Sequence, residues 1–211
     1  MEIDPEAAKL LDALLPNTAF DGWTSQALRQ ALRDLGRDPD EAKLLFASDA
    51  DMIEATFALA DQRMIAAAQT LEGGLTARVR GTIALRLEQM AGDKEALRRA
   101  MARLALPTQA PRLARIIAAT ADSIWFAARD QSADFSWYTK RFTLSAVWLA
   151  TLLFWLSDES PEAEATLAFL DRRLQSVGRI GKFRAQAREG KFRARAREGL
   201  ARIIPFGPSA A

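Results

Sequence analysis

Apolar positions between residues 122 and 158 recur at intervals of three and four, and the spacing predicts a helix over 138–156, about five turns long. Tyr138, Phe142, Ala146, Leu149, Leu153 and Leu156 share one side of it, which is enough for an ordinary core face. Trp137, Leu144, Trp148 and Trp155 fall on roughly the opposite side, with Leu152 between the two sets. A helix apolar nearly all round is either a central buried element or one whose second face meets a ligand, a partner chain or a membrane. Indoles are large and carry an N–H that needs an acceptor, so three on one side suit an interface or a pocket wall better than a tight core. A central core helix and a helix whose Trp side lines an interface or an apolar pocket are the two readings this pattern leaves open.

The rest of the chain reads as helices separated by short breaks. Asp4-Pro5-Glu6 starts the first, with Leu10, Leu11, Leu14 and Leu15 inward and Pro16-Asn17 as its predicted end. Thr24 or Ser25 caps a second helix closed by Gly36, and Asp38-Pro39 opens a short third one through Phe46. A long fourth helix runs from Ser48 or Asp49 toward Leu71, where Gly73-Gly74 breaks it. Further helices start near Thr76, after Gly92-Asp93, near Ala110 and at Pro161. No stretch alternates with period two for long enough to make a confident strand. The expected fold class is all-α with nine or ten helices, the long ones stabilised by packing on one another.

Helices two and three resemble a helix-turn-helix pair, whose third helix would read DNA. That segment offers Asp40 and Glu41 against a single Lys43, where phosphates and base edges call for Arg, Lys, Asn or Gln. It reads better as a packing unit, and no nucleic-acid partner is expected.

The chain has neither Cys nor His among its 211 residues, which removes thiol and imidazole chemistry, disulfides and the usual zinc sites. No carboxylate pair stands apart from ordinary solvated positions, so no metal, no cofactor and no catalytic residue are expected. No run of eighteen apolar residues exists and the N-terminus, MEIDPEAAK, is acidic. The protein is accordingly expected to stay in the compartment where it is made.

The net charge of +2 conceals an asymmetry: from Arg172 to Arg202 eleven Lys or Arg face only Glu189 and Glu198. From Gly178 the character changes, and GKFRAQARE at 181–189 is followed at once by GKFRARARE at 190–198. Read as a helix from the second copy onward, Phe192, Ala196, Gly199, Leu200 and Ile203 make a stripe with Ile204 at its edge. Arg193, Arg195, Arg197 and Arg202 occupy its flanks and back. Such a segment can lie in an anionic lipid interface through Lys191, Phe192, Arg195, Leu200, Ile203 and Ile204, dock on a protein, or remain a solubilising tail. Its glycines disfavour an isolated helix, so folding is expected to be coupled to binding.

The words Asp122-x-x-Trp125, Asp130-x-Ser132-x-Asp134-Phe135, Trp137-Tyr138-Thr139-Lys140-Arg141, Asp158-x-Ser160 and Phe169-Leu170-x-Arg172-Arg173 closely resemble the lipid-binding accessory proteins of ubiquinone (coenzyme Q) biosynthesis, found in mitochondria and alphaproteobacteria. Phe20-Asp21-Gly22-Trp23 followed by Ala27-Leu28 extends the likeness toward the N-terminus. The chain departs from the family pattern at Arg129, where Gly is usual, at Ala133 for Thr, at Ser136 for Asn and at Leu152 for Glu.

The resemblance implies a TetR-like fold that no longer reads DNA, with vestigial helix-turn-helix-like helices over 1–47, a lipid- and partner-binding core over 48–177 and a basic membrane-associating arm over 178–211. It implies an apolar cavity between the long helices for a phospholipid or an isoprenoid quinone precursor. On this reading the walls are Leu113, Ile117 and Ile124 from one helix and Phe142, Leu149, Leu153 and Leu156 from the next. It implies no reaction of the chain's own. Instead it implies presentation of quinone precursors to membrane-associated enzymes, notably the di-iron hydroxylase, through a patch at Asp134, Trp137, Tyr138 and Arg141. A homodimer, peripheral on the inner face of the cell membrane, is the expected setting. The competing reading is a TetR-type regulator that senses a hydrophobic ligand.

Overall fold

A computed structural model describes residues 3–129 and 137–177. Among them the backbone is helical: α1 (Pro5–Asp21), α2 (Ser25–Asp34), α3 (Ala42–Leu45), α4 (Asp49–Ala67), α5 (Leu75–Glu88), α6 (Lys94–Leu104), α7 (Ala110–Ala127), α8 (Trp137–Ser157) and α9 over 164–177. No strand occurs among the described residues. The chain divides after Leu170 into two units. Of the second, residues 171–177 are described; they are helical, and the Ser176 hydroxyl donates to the Arg172 carbonyl at 2.9 Å.

Local chemistry sets most boundaries. The Asp4 carboxylate accepts from the Glu6 and Ala7 N–H groups at 3.0 and 2.9 Å, and Pro5 occupies the first turn, where its missing N–H costs nothing. Contrary to expectation, α1 passes through Pro16 and ends at Gly22, whose φ of +69° takes the chain out of the helix. Pro16 forgoes its ladder bond to the Asp12 carbonyl, and around it the Asn17 amide donates to the Ala13 carbonyl at 2.9 Å and the Thr18 hydroxyl to that of Leu15 at 2.8 Å. Thr24 caps α2, and Gly36 at φ +68° closes it while the Arg37 N–H returns to the Leu32 carbonyl at 2.8 Å. The start of α5 is Gly74 rather than Thr76, which lies within the first turn.

In the first unit α1 packs on α2, α4 on α7, and α7 on α8. Buried leucines of α1 and α2, Met52, Ile53, Phe57 and Met64 of α4, Ile83 and Leu87 of α5, Leu97 and Leu104 of α6, and Ile117 and Ile124 of α7 supply its core. Trp23 ties the N-terminal helices to α6 by donating its Nε1–H to the Ala96 carbonyl at 2.9 Å. The loop after α8 is held by Asp158, which accepts from the Ser160 N–H at 2.9 Å and from the Thr166 N–H at 2.8 Å and also takes the Thr166 hydroxyl. Burial would push this carboxyl up, yet the hydrogen bonds from Thr166 and Ser160 outweigh it and hold the group below the usual carboxylate range.

Because its folded-state pKa is depressed, Asp158 stabilises the fold fully above about pH 4 and loses that contribution as the pH falls further. Asp158→Ala is expected to cost about 2 kcal/mol at neutral pH, since it removes a cap and strands the Thr166 N–H. Urea unfolding at pH 7 and pH 3 checks this: the gap between wild type and variant should narrow at the lower pH.

Candidate functional site: a buried polar centre and an exposed apolar face

α8 turns its Trp side inward, the central-helix reading of its two apolar faces. Leu144, Val147, Trp148, Leu152 and Trp155 are buried, with Trp148 only 1% exposed, whereas Phe142 is 79% and Leu153 49% exposed. Cations inside the fold give the indoles a reason to be there. The Arg86 guanidinium carbon lies 5.8 Å from the Trp148 ring centroid and 5.6 Å from that of Phe57, and the Lys94 ammonium lies 4.9 Å from the ring of Trp155. The negative face of an aromatic ring attracts such charges, most strongly where water is excluded. Lys94 and Arg98 from α6 also donate to the Asp158 and Leu156 carbonyls, meeting the negative end of α8.

The seven proposed lipid-wall residues are consequently not brought to one surface. Ile117, Ile124 and Leu156 are buried, Leu113 and Leu149 are half-buried, and Phe142 and Leu153 face solvent. Phe142 and Leu153 therefore do not share an enclosed space with Ile117 and Ile124, because the side of α8 that packs inward is the one carrying Trp148 and Trp155.

At the centre of the unit lies a polar group of side chains that the spacing of apolar residues did not single out. Arg86 of α5, 1% exposed, donates its Nε–H to Asp61 Oδ1 of α4 at 3.0 Å. Asp61 Oδ2 accepts from the Thr120 hydroxyl of α7 at 2.8 Å, and Arg86 Nη1 approaches the Met90 sulfur. Burial pushes the Asp61 carboxyl up, opposed by the charge and hydrogen bond of Arg86 and by Thr120. Burial likewise lowers the guanidinium, opposed by Asp61. Held together in this way, the pair carries no net charge into the core. Two donors next to it, Arg86 Nη2 and Trp148 Nε1, are buried with no hydrogen-bond partner among the described residues. The signal in the sequence was the charge itself: Asp61 and Arg86 each sit within an otherwise apolar helical stripe, between Phe57 and Met64 and between Ile83 and Met90.

The outer side of α7 and α8 is a second candidate. Ala114, Ala118, Ala119 and Phe126 of α7, and Phe142, Ala146 and Leu153 of α8, are exposed, with Phe126 at 69%. The two helices are pinned there by Arg141, whose Nε lies 2.9 Å from Asp122 Oδ1. Phe126 stands one turn beyond Asp122 and Phe142 next to Arg141, so large aromatics flank this ion pair. Of the expected partner patch, Arg141 is half-buried on this pair, Trp137 and Tyr138 belong to the first turn of α8, and Asp134 lies outside the described residues. The arm residues Lys191, Phe192, Arg195, Leu200, Ile203 and Ile204 also lie outside them. At the end of α7, Arg129 adopts φ +57°, the left-handed conformation for which the family's usual Gly is suited.

Among the described residues no group of three or more carboxylates could hold a metal ion, and no helix is long and apolar enough to cross a membrane.

Comparison with known proteins agrees with the words found in the sequence. The COQ9 family profile matches residues 110–181, the segment that carries α7, α8 and their ion pair. Similar curated proteins are the mitochondrial ubiquinone biosynthesis protein COQ9 of Rattus norvegicus, 27% identical over 85% of this chain and 61% of its own length, and that of Drosophila melanogaster, 29% identical over 83% and 56%. The corresponding protein of Schizosaccharomyces pombe is 27% identical over 87% of this chain and 74% of its own length. The chain thus spans about three fifths of the rat relative. Among solved structures, the TetR transcriptional regulator from Nitrosomonas europaea superposes with a TM-score of 0.65 over 82% of this chain and 98% of that one, at 23% identity, which establishes the fold alone. Residues 110–181 thus match the COQ9 family model, and around that segment the chain is similar to mitochondrial COQ9 ubiquinone biosynthesis proteins and has a TetR-like helical fold.

Proposed function

We propose that this chain is a non-catalytic accessory protein that binds an isoprenoid or other lipid and presents quinone precursors to a membrane-associated ring hydroxylase. The observation that carries the presenting role is the exposed apolar face of α7 and α8, with Phe126 and Phe142 flanking the Asp122–Arg141 pair inside the segment shared with the family. Aromatic anchors beside a fixed Arg are the composition that dominates protein interfaces, and exposed residues of this size contribute little to the fold they stand on. Trp137, Tyr138 and Asp134 complete the patch in this reading.

Phe142→Ala is expected to weaken binding to the hydroxylase by roughly thirtyfold, the equivalent of about 2 kcal/mol, while the melting temperature stays within a degree or two of wild type. Titration calorimetry with the purified hydroxylase measures the first and thermal unfolding the second. Unchanged affinity would remove the patch from the account. The same face could instead seat a second copy of the chain, and sedimentation equilibrium of wild type and Phe142→Ala separates self-association from hydroxylase docking.

The basic arm over 178–211 serves in this reading as the contact with the inner face of the membrane. Deleting it is expected to abolish most binding to vesicles containing anionic lipid and to leave unfolding of the remaining helices cooperative. Binding of the full chain should weaken with salt, because each Lys or Arg near such a surface contributes about 1 kcal/mol. Co-sedimentation with vesicles that survives the deletion would contradict this role.

Against a DNA-reading function stands the pairing of the third-helix region: Lys43 is held by Asp40 at 2.8 Å and Arg37 by Glu41, so its cations are already neutralised. A gel shift with the gene's own upstream region, negative at physiological salt, is the expected result.

A further inference from the structure

The lipid-binding reading leaves open what part of a ligand the protein recognises, and the polar centre bears on this. Arg86 has three kinds of neighbour: Asp61 at 3.0 Å from Nε, the Met90 sulfur at Nη1, and the Phe57 and Trp148 rings, whose centroids lie 5.6 and 5.8 Å from the guanidinium carbon. The second oxygen of Asp61 accepts from Thr120 at 2.8 Å, and Arg86 Nη2 makes no hydrogen bond to either carboxylate oxygen. Arg86 Nη2–H and the Nε1–H of Trp148, on side chains within cation–π distance of each other, are therefore buried donors with no acceptor among the described residues. Native interiors rarely leave two such groups together unless something accepts from them.

Charge decides what that acceptor can be. The guanidinium is already balanced by Asp61, so a carboxylate or phosphate would bring an unmatched negative charge into the core, and a cation would face Arg86. A hydrocarbon would leave both N–H groups unsatisfied. We propose that Arg86 Nη2 and Trp148 Nε1 form a buried receptor for an uncharged oxygen acceptor, a ring carbonyl or ether oxygen carried on an apolar body. This rests on the lipid-binding reading and adds to it a polar determinant between α5 and α8. Phe57, Met90 and the Trp148 ring supply apolar surroundings, and the two donors distinguish an oxygenated ring from an alkyl or aryl group of the same size. Trp148 is almost wholly enclosed, so loading requires α8 to move relative to α5 and is slow compared with diffusion.

The test uses the full chain with two probes, a decyl-substituted dimethoxybenzoquinone and decylbenzene. Nitrogen-15 labelling of the tryptophans gives one indole resonance for Trp148, assigned by its disappearance in Trp148→Phe. The quinone is expected to bind wild type at least tenfold more tightly than decylbenzene and to shift that resonance, while decylbenzene leaves it in place. Trp148→Phe, which keeps a ring over Arg86 and removes the N–H, is expected to lower quinone affinity about five- to tenfold and to leave decylbenzene unchanged. Should Trp148→Phe fold poorly, the preference of wild type between the two probes decides alone. Equal binding of both probes with no indole shift would overturn the receptor and leave lipid binding standing. Binding of neither probe would overturn the lipid-binding reading and the receptor with it.

Discussion

Asp61→Ala is expected to lower the unfolding free energy by about 3–5 kcal/mol, a large share of the stability of a domain of this size. The cause is not the loss of an attractive pair as such. In the folded protein Arg86 is almost wholly enclosed, and Asp61 is the carboxylate that its Nε reaches. Removing that carboxylate leaves the guanidinium with the Met90 sulfur and two aromatic faces, none of which replaces a negative charge. The Thr120 hydroxyl loses its acceptor at the same time. The cost belongs to the stranded charge, and removing the charge should recover most of it. The double variant Asp61→Leu with Arg86→Met is expected to unfold within about 1–2 kcal/mol of wild type in urea, since well-packed apolar replacements of buried pairs are often neutral. A double variant as unstable as Asp61→Ala would mean that the network holds the helices together in some other way.

Trp148→Ala is expected to cost a similar amount, about 3–5 kcal/mol, through lost burial and the cavity left between α8 and α5. Phe142→Ala, on the same helix and equally aromatic, is expected to change stability by about 0.5 kcal/mol or less, because its ring is 79% exposed. Urea unfolding of the two variants side by side measures which face of α8 is structural. A larger loss for Phe142→Ala than for Trp148→Ala would reverse the assignment of faces, and with it both the docking patch and the buried receptor.

Why the sequence left the orientation of this one helix open is a matter of period and of partners. Helical spacing locates apolar stripes, and it placed α7, α8 and the all-helical fold well, since long runs at intervals of three and four leave little choice. It cannot orient a helix that has two apolar faces. Indoles are awkward to bury in a core of hydrocarbon alone. Here Arg86 and Lys94 reach the Trp148 and Trp155 rings, and these contacts come from α5 and α6, far away in the chain. Pro16 illustrates a plain miss: α1 runs through it to Asp21, and Asn17 and Thr18 hydrogen-bond back to Ala13 and Leu15. Arg129 shows the reverse, a departure from the family pattern that the structure makes intelligible, because the family's usual Gly fits the positive φ found there. The motif words marked the segment that holds the Asp122–Arg141 pair, but the Asp61–Arg86–Thr120 centre joins α4, α5 and α7 and becomes apparent only when the helices are assembled.

Whether the chain carries a lipid at all is tested most directly by native mass spectrometry of the full protein purified without detergent from a ubiquinone-producing host, followed by organic extraction of the same sample. The account predicts a bound species near one per chain, extracted as a neutral isoprenoid quinone, a quinone precursor or a phospholipid. Protein of the bare chain mass with an extract free of lipid, and no uptake when quinone is added back, would contradict it.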